Sequence, residues 1–292
     1  MDFFLQVLVN GLSVGFLYAL AALGFVMIFK SSSVLNFAHG ELLAIGAFVF
    51  LVLSTWLKLP IVVCFVLTLA GCFALGFIIE RFFLRPLIGE ALIEVIMLTV
   101  GLAAMFRGLL LLIFGGNLHN YRPFLPEGLA IRIGSVYVAP VYVASFIIGI
   151  LFLAVFGFFF KYSSWGIYMR SVADHQPAAL SLGVNVRRVF ALSWAIAAVV
   201  AAMSGVVLGI INGINVHQLS YIGLKVFPVV ILGGLDSIGG AIIGGLIIGL
   251  LESFTGGYIS TSLREVVSYV VLVLILLVKP YGLFGSVEIE RV

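Results

Sequence analysis

The sequence predicts an all-α fold, a polytopic membrane helical bundle with about eight transmembrane or re-entrant helical segments, and three observations predict it. First, the 292 residues are 63% hydrophobic and only 9% charged, with a mean hydropathy of +1.31. An ordinary soluble domain is roughly 45–50% apolar and about 25% charged, so this chain cannot clothe a water-facing surface. Second, the apolar residues gather into runs near the roughly 20 that carry a helix across a hydrocarbon core about 30 Å thick. Third, Lys and Arg collect in particular loops, the pattern that orients membrane helices. No break between the runs is long enough for a soluble domain, so 1–292 reads as one membrane domain.

The stretch from Phe3 to Phe29 carries no charge and follows no basic leader. It exceeds the roughly 7–15 apolar residues of a cleaved signal and reads as the first transmembrane helix. Further segments fall at 42–57, 60–79, 92–114, 138–160, 189–211, 226–255 and 264–278. The loop at 80–91 holds Arg81 and Arg85, and that at 161–188 holds Lys161, Arg170, Arg187 and Arg188, so both should face the cytoplasm. The stretch from Asn117 to Tyr137 then falls outside, where its Asn, Tyr, Pro and Gly suit an ordered loop. If the tail with Lys279 and Arg291 is also inside, the three segments after 188 must make an even number of crossings, and one must be split or re-entrant. The candidate is 226–255, interrupted by Gly233-Gly234-Leu235-Asp236-Ser237-Ile238-Gly239-Gly240. Glycine pairs around an aspartate make a poor helix interior, and irregular backbone at membrane depth is tolerated only against protein or a watery cavity. The pairs Gly11/Gly15, Gly240/Gly244 and Gly245/Gly249 each lie on one helical face. They suit close packing within the fold or against a second membrane subunit.

Composition and motifs exclude several function classes. Fifteen basic against twelve acidic residues give +3, and the basic residues form no stripe that could follow phosphates, so nucleic acid is not an expected partner. Cys64 and Cys72 sit in one apolar run without a metal or disulfide framework around them and read as buried structural thiols. No Lys follows a Gly, so the phosphate-cradling GxxxxGK[ST] loop cannot occur. Uphill transport would therefore draw on an ion gradient or on another subunit.

Three features could carry function. Ser31-Ser32-Ser33-Val34-Leu35-Asn36-Phe37-Ala38-His39-Gly40-Glu41 is a polar interruption between apolar segments. It fits either a discontinuous helix lining a permeation route or a cytoplasmic turn with Asn36 capping the next helix. His39 and Glu41 are two residues apart, do not share a helical face, and make no metal site. The second feature is the loop from Tyr168 to Val184, which reads as a short helix across the membrane face. Asp174 or a neighbour would cap its start, with Pro177 in the first turn and Gly183 just past the end. It suits a rigid knob for a cytoplasmic partner or an unspecialised interfacial helix. Third come the isolated ions Glu94, Arg107, Asp236 and Glu252. Glu94 and Arg107 lie thirteen positions apart, on different faces of one helix, and each should anchor at an interface or pair with another helix.

Four motifs carry a family resemblance. Asn36-Phe37-Ala38-His39-Gly40-Glu41, followed by Gly46-Ala47, resembles the opening signature of LivH-type permeases, the membrane subunits of branched-chain amino acid ABC importers. Ala173 to Val184 resembles their cytoplasmic coupling segment. Val230 to Ala241, with Gly244-Gly245-Leu246 to Glu252, resembles the family's late glycine-rich stretch, and Lys279-Pro280-Tyr281-Gly282-Leu283-Phe284-Gly285 its terminal motif. Asp236 stands where the family commonly has a small residue, and Gly239 where it has Pro. The resemblance implies a multi-pass protein of the cell inner (plasma) membrane. It would work with a homologous second permease, two cytoplasmic ABC ATPase subunits that bind ATP and Mg, and an extracytoplasmic solute-binding protein, with no cofactor in this chain. On it, Asn36, His39, Glu41 and Asp236 are expected along the translocation pathway. Ala173, Asp174, Ala178, Ala179, Leu182 and Gly183 are expected to couple to the ATPases. Leu, Ile and Val are the favoured cargo and urea or short amides the alternative. A stand-alone secondary transporter also fits broken glycine-rich helices, although no set of acidic residues suggests a coupling ion.

Overall fold

Helix α1 (Asp2–Ser32) forms the axis of the bundle, and its composition is the reason. A helix that is apolar all round finds its free-energy minimum with every face covered, and each residue from Leu17 to Ile28 is buried. The computed structural model describes residues 2–87, 90–121, 131–133, 136–138 and 140–285. Around α1 stand α2 (His39–Leu51), carried on by a π-helical turn to Trp56, and α3 (Ile61–Ile79), carried on by π and 3₁₀ turns to Leu87. They are followed by α4 (Leu92–Phe114), a hairpin of β1 (Ile131–Ile133) and β2 (Val136–Val138), and α5 (Pro140–Tyr162). Two short helices, α6 (Ser164–Asp174) and α7 (Gln176–Ser181), lead into α8 (Val186–Asn212), α9 (Val216–Gly233), α10 (Ile238–Tyr258) and α11 (Arg264–Val278). Eight of these helices are long and apolar enough to cross a membrane, and α11 is a shorter apolar helix of 15 residues. The hairpin lies in the stretch read from sequence as an external loop; its strands have three residues each and leave the helical class unchanged.

Glycine sets the closest contacts. Gly11 and Gly15 of α1 lie against Leu246, Leu250 and Ser253 of α10, and Gly245 and Gly249 of α10 lie against Ala19 and Gly15 of α1. Gly240 and Gly244 meet Gly233 and Val229 of α9. All three glycine pairs singled out in the sequence therefore pack inside the fold. The residue pairing also shows that α1 and α10 run antiparallel, as do α1 and α8, where Ser204 Oγ donates to Leu17 O and Gly24 faces Ala197.

These directions sort the loops into two ends. His119 and Ile214 exchange backbone hydrogen bonds of 2.8 Å, so the segments after α4 and α8 share one end. The other end gathers Lys30, Arg81, Arg85, Lys161, Arg170, Arg187, Arg188 and Lys279, and is called here the basic end. The segment 226–255 is split where its glycines predicted. However, the helix before the break starts at Val216, because Asn215 Oδ1 accepts the N–H groups of His217 and Gln218. Helices α9 and α10 turn at the basic end, where Leu283 and Phe284 N–H donate to Leu232 and Gly233 O, joining the third and fourth sequence motifs.

One buried ionic cluster ties four helices. Glu252 of α10, fully buried, accepts from Tyr18 of α1 at 2.9 Å and from Ser268 of α11 at 2.5 Å, and Lys225 of α9 lies 3.3 Å away. Arg264 Nε stands at 3.9 Å. Breaking a buried pair strands the remaining charge at about 3–5 kcal/mol. Lys225→Met should therefore destabilise the detergent-solubilised protein by about 3 kcal/mol in chemical unfolding, and Lys225→Met/Glu252→Gln should recover most of it; an equal loss in both would show that the charge does not matter. A Cβ on Gly245 would stand 2.5–2.7 Å from Ala19, so Gly245→Leu is expected to cost about 3 kcal/mol. Gly157→Leu, with no atom within 4 Å, should leave the unfolding midpoint unchanged.

Candidate functional site

The polar interruption after α1 is a length of non-helical backbone inside the bundle. Residues 33–38 leave α1 at the basic end and turn back inward. Thr99 of α4 hydrogen-bonds this segment, its one hydroxyl proton shared between Ile96 O at 2.9 Å and Leu35 O at 3.3 Å while its oxygen accepts from Phe37 N–H at 3.3 Å. His39, the first residue of α2, places Nε2 2.8 Å from Ala21 O and rests its ring against Gly24. Gly24 precedes the end of α1 by eight positions, so α2 begins about 12 Å inside that end.

Asn36, His39 and Glu41 are each 1% exposed, His39 turned to α1 and Glu41 to α4. Asn36 Oδ1 accepts Ala38 N–H at 3.0 Å and its carbonyl receives His39 N–H, while Ala38 occupies the N-cap position without a side-chain cap. Asn36 thus closes an Asx turn two residues before the helix rather than capping it directly. Gly40 lies against Gly223 and Ser220 O of α9, an approach no Cβ permits. Phe227 of α9 packs on Phe37 at 5.1 Å and on Phe25 at 5.0 Å, walling the break with aromatic rings. Three polar atoms stay unpaired around the break, Asn36 Nδ2, His39 Nδ1 and Ser220 Oγ. A buried donor or acceptor without a partner costs about 1–3 kcal/mol, so the site holds free hydrogen-bonding capacity.

Glu41 pairs with Arg107 of α4, which donates through Nε at 3.1 Å and Nη2 at 2.5 Å. The expected pairing of Arg107 with another helix is therefore made, 66 positions back along the chain. Thr99 had no local signal beyond being polar in an apolar helix, and for Arg107 the sequence did not name the partner. Asp236 lies apart from these three, half-buried in the α9–α10 turn beside Gly285.

The second feature forms α6 and α7 at the basic end. Helix α6 is capped by Ser163 and held down by Arg170, which donates to Phe160 and Lys161 carbonyls. Between α6 and α7 the capping residue is His175, whose Nδ1 accepts Ala178 N–H at 3.2 Å; Asp174 ends α6 instead. Pro177 lies in the first turn. Gly183 has φ +84°, and the bonds Val184 N–H to Ala179 O and Gly183 N–H to Leu180 O close a Schellman motif. Ala179 is buried and Ala173 half-buried, whereas Asp174, Ala178, Leu182 and Gly183 are exposed, with Leu182 at 82%. A cavity of about 310 Å³ separates this knob from the break, bounded by Gln176 of α7, Ser32, Val34, Trp194, Glu80 and Glu90. Glu80 is buried against Arg85, 2.9 Å away.

Other candidates are structural. Gly11-Leu12-Ser13-Val14-Gly15 has the spacing of a nucleophile elbow, which needs a strand–turn–helix setting. It lies within α1, where Ser13 Oγ donates to Val9 O. Cys64 and Cys72 are buried free thiols. Among the described residues no three His, Cys, Asp or Glu side chains gather as metal ligands.

Comparison with known proteins agrees with this architecture. Residues 7–276 match the family model for the branched-chain amino acid transport system permease component. The high-affinity branched-chain amino acid transport system permease protein LivH of Salmonella typhimurium is 33% identical, covering 99% of this chain and 98% of its own length. The corresponding permease protein BraD of Pseudomonas aeruginosa is 31% identical with the same coverage. Among solved structures, PsaBC from Streptococcus pneumoniae in complex with Fab shares the fold at a TM-score of 0.53 and 12% identity, over 96% of this chain and 93% of that one. A bundle of membrane-length helices, one of them starting within the bundle, thus coincides with a near full-length family match, and the chain belongs to the branched-chain amino acid transport permease family.

Proposed function

We propose that this chain forms the translocation pathway of an ATP-driven importer of Leu, Ile and Val. Its basic end would face the cytoplasm of the cell inner membrane. Its partners would be a homologous second permease, two ABC ATPases that bind ATP and Mg, and an extracytoplasmic solute-binding protein. The observation that carries this reading is the break at 33–38 with the unpaired Asn36 Nδ2 and His39 Nδ1 beside it. Polar groups held in an apolar layer without partners are costly and mark solute paths. Here they adjoin the aromatic wall of Phe25, Phe37 and Phe227, a combination suited to a zwitterion with a branched apolar side chain. The concentration of Lys and Arg at one end supports the orientation.

Coupling follows from the rigidity of α7. Closure of the ATPases would press on the exposed tip around Leu180, Leu182 and Gly183, and the capped turn would pass that displacement on without deforming. Next to it lies the 310 Å³ cavity whose other walls include Ser32 and Val34, where the break begins. A push that favours one position of the break over the other shifts access between the two faces, a differential stabilisation of two states. Asp236, in the turn that the tail covers, would move with the α9–α10 hairpin.

Copurification from native membranes in mild detergent tests the class. ABC ATPases and a second permease should remain bound, whereas a lone chain that transports after reconstitution would overturn the reading. Competition for radiolabelled leucine uptake by isoleucine and valine, but not by urea or acetamide, is the expected cargo profile. Asn36→Leu removes the Asx turn and one unpaired donor, and should lower uptake on the order of tenfold with assembly intact. Gly183→Arg places a bulky cation at a left-handed position, at a backbone cost of about 1–2 kcal/mol. It should leave a folded protein that no longer retains the ATPases; normal retention and uptake would refute the coupling assignment.

A further inference from the structure

A second cleft lies away from the break. It lies between α3, α5 and α8, has a volume of about 790 Å³, and its walls include Phe73 and Phe77 of α3, Phe152 and Phe156 of α5, and Ile196 and Val200 of α8. Its basic end carries three guanidinium groups, Arg81, Arg85 and Arg188, and no carboxylate lines it. Arg85 is held by Glu80, whereas among the described residues no carboxylate lies within ion-pair distance of Arg81 or Arg188. An apolar trough with unmatched cations at one end is complementary to an amphiphile with an anionic head.

The dimensions point to the bilayer itself as the source. From Arg188 to Val200 along α8 is twelve positions, about 18 Å, and half of a hydrocarbon core about 30 Å thick is about 15 Å. The cleft therefore runs from the interface to the midplane, the depth of one leaflet. Trp165 of α6 lies beside the arginines, the position that interfacial indole rings favour. A soluble anion would use the arginines and none of the apolar wall, and a zwitterionic lipid would leave the cationic end uncompensated.

We propose that this cleft binds one anionic phospholipid of the leaflet at the basic end, its phosphate on Arg81 and Arg188 and its acyl chains against the walls of α3, α5 and α8. The proposal rests on the membrane placement of the helices and is independent of the cargo. Occupancy by a lipid would fill the space between the later half of α5, which leads into α6 and α7, and helices α3 and α8. The coupling segment would then be braced through a lipid as well as through protein.

Native mass spectrometry of the full-length protein, with whatever subunits remain on it, tests this in detergent containing phosphatidylglycerol or phosphatidylcholine. The wild type should retain phosphatidylglycerol in preference, and Arg81→Gln/Arg188→Gln should reduce retention on the order of tenfold. Lys161→Gln/Arg187→Gln removes the same charge from the same end outside the cleft and should change little. Ile196→Trp, which fills the cleft without altering charge, should also lower retention in a protein that remains monodisperse. Excess inorganic phosphate should not displace the lipid. Equal retention of both lipids, equal losses in the two charge variants, or displacement by inorganic phosphate would each overturn the proposal.

Discussion

The arrangement of this protein depends on one constraint: backbone that leaves the helix inside an apolar layer must have its polar groups satisfied. Residues 33–38 meet it with few means. Ser33 N–H returns to Phe29 O at 2.7 Å, Ala38 N–H turns onto Asn36 Oδ1, and Thr99 serves both Leu35 and Phe37. Each solution fixes a neighbour. Helix α4 must pass close enough for a threonine hydroxyl to reach, α1 must carry Gly24 to seat the His39 ring, and α9 must carry Gly223 opposite Gly40. The glycines are thus the condition for placing a break within the bundle, because lipid supplies no hydrophobic force to press helices together.

How much of this was legible in the sequence divides along the range of the interaction. Composition and run length were enough for the class and for most helices, since burial in lipid demands a continuous apolar run. The split at Gly233–Gly240 was legible for the same local reason. The start of α9 was not, because His217, Gln218 and Lys225 depress the apolarity of the helix, and the partner of Lys225, Glu252, lies on another helix. Asn215 carried a capping signal that was available and unused. In the α6–α7 segment Pro177 and Gly183 marked both limits of α7, while the choice of His175 over Asp174 as its cap depends on the orientation of one ring. At the site, Asn36, His39 and Glu41 stood out as polar residues in apolar surroundings. Thr99 did not, and Arg107 stood out as an isolated ion without a named partner, since both roles exist only once α4 lies beside the break.

The glycine motifs divide in the same way. Spacing alone left Gly245/Gly249 open to a partner subunit or to the fold, and only the register of α1 against α10 resolves it. What the sequence offered was a surface able to come close; the structure supplies the surface it comes close to. This also accounts for the terminal motif, where Gly282, at φ +77°, lets the chain fold back so that Leu283 and Phe284 complete the hydrogen bonding of the α9 end.

Two of the buried glutamates, Glu252 and Glu41, are built for different tasks. Glu252 has donors from α1, α9 and α11 and no exposed partner closer than 3.9 Å, so separating any of these helices removes hydrogen bonds that nothing in the membrane replaces. It resists motion. Among the described residues Glu41 has Arg107 as its side-chain partner, and that side chain is 43% exposed, so its guanidinium retains access to other acceptors when the pair lengthens. The energy needed to part the second pair is correspondingly smaller, because only one of its ions is desolvated throughout. Were α2 to shift against α4 in the proposed transport cycle, the Glu41–Arg107 pair would part at lower cost than the cluster that ties α1, α9, α10 and α11.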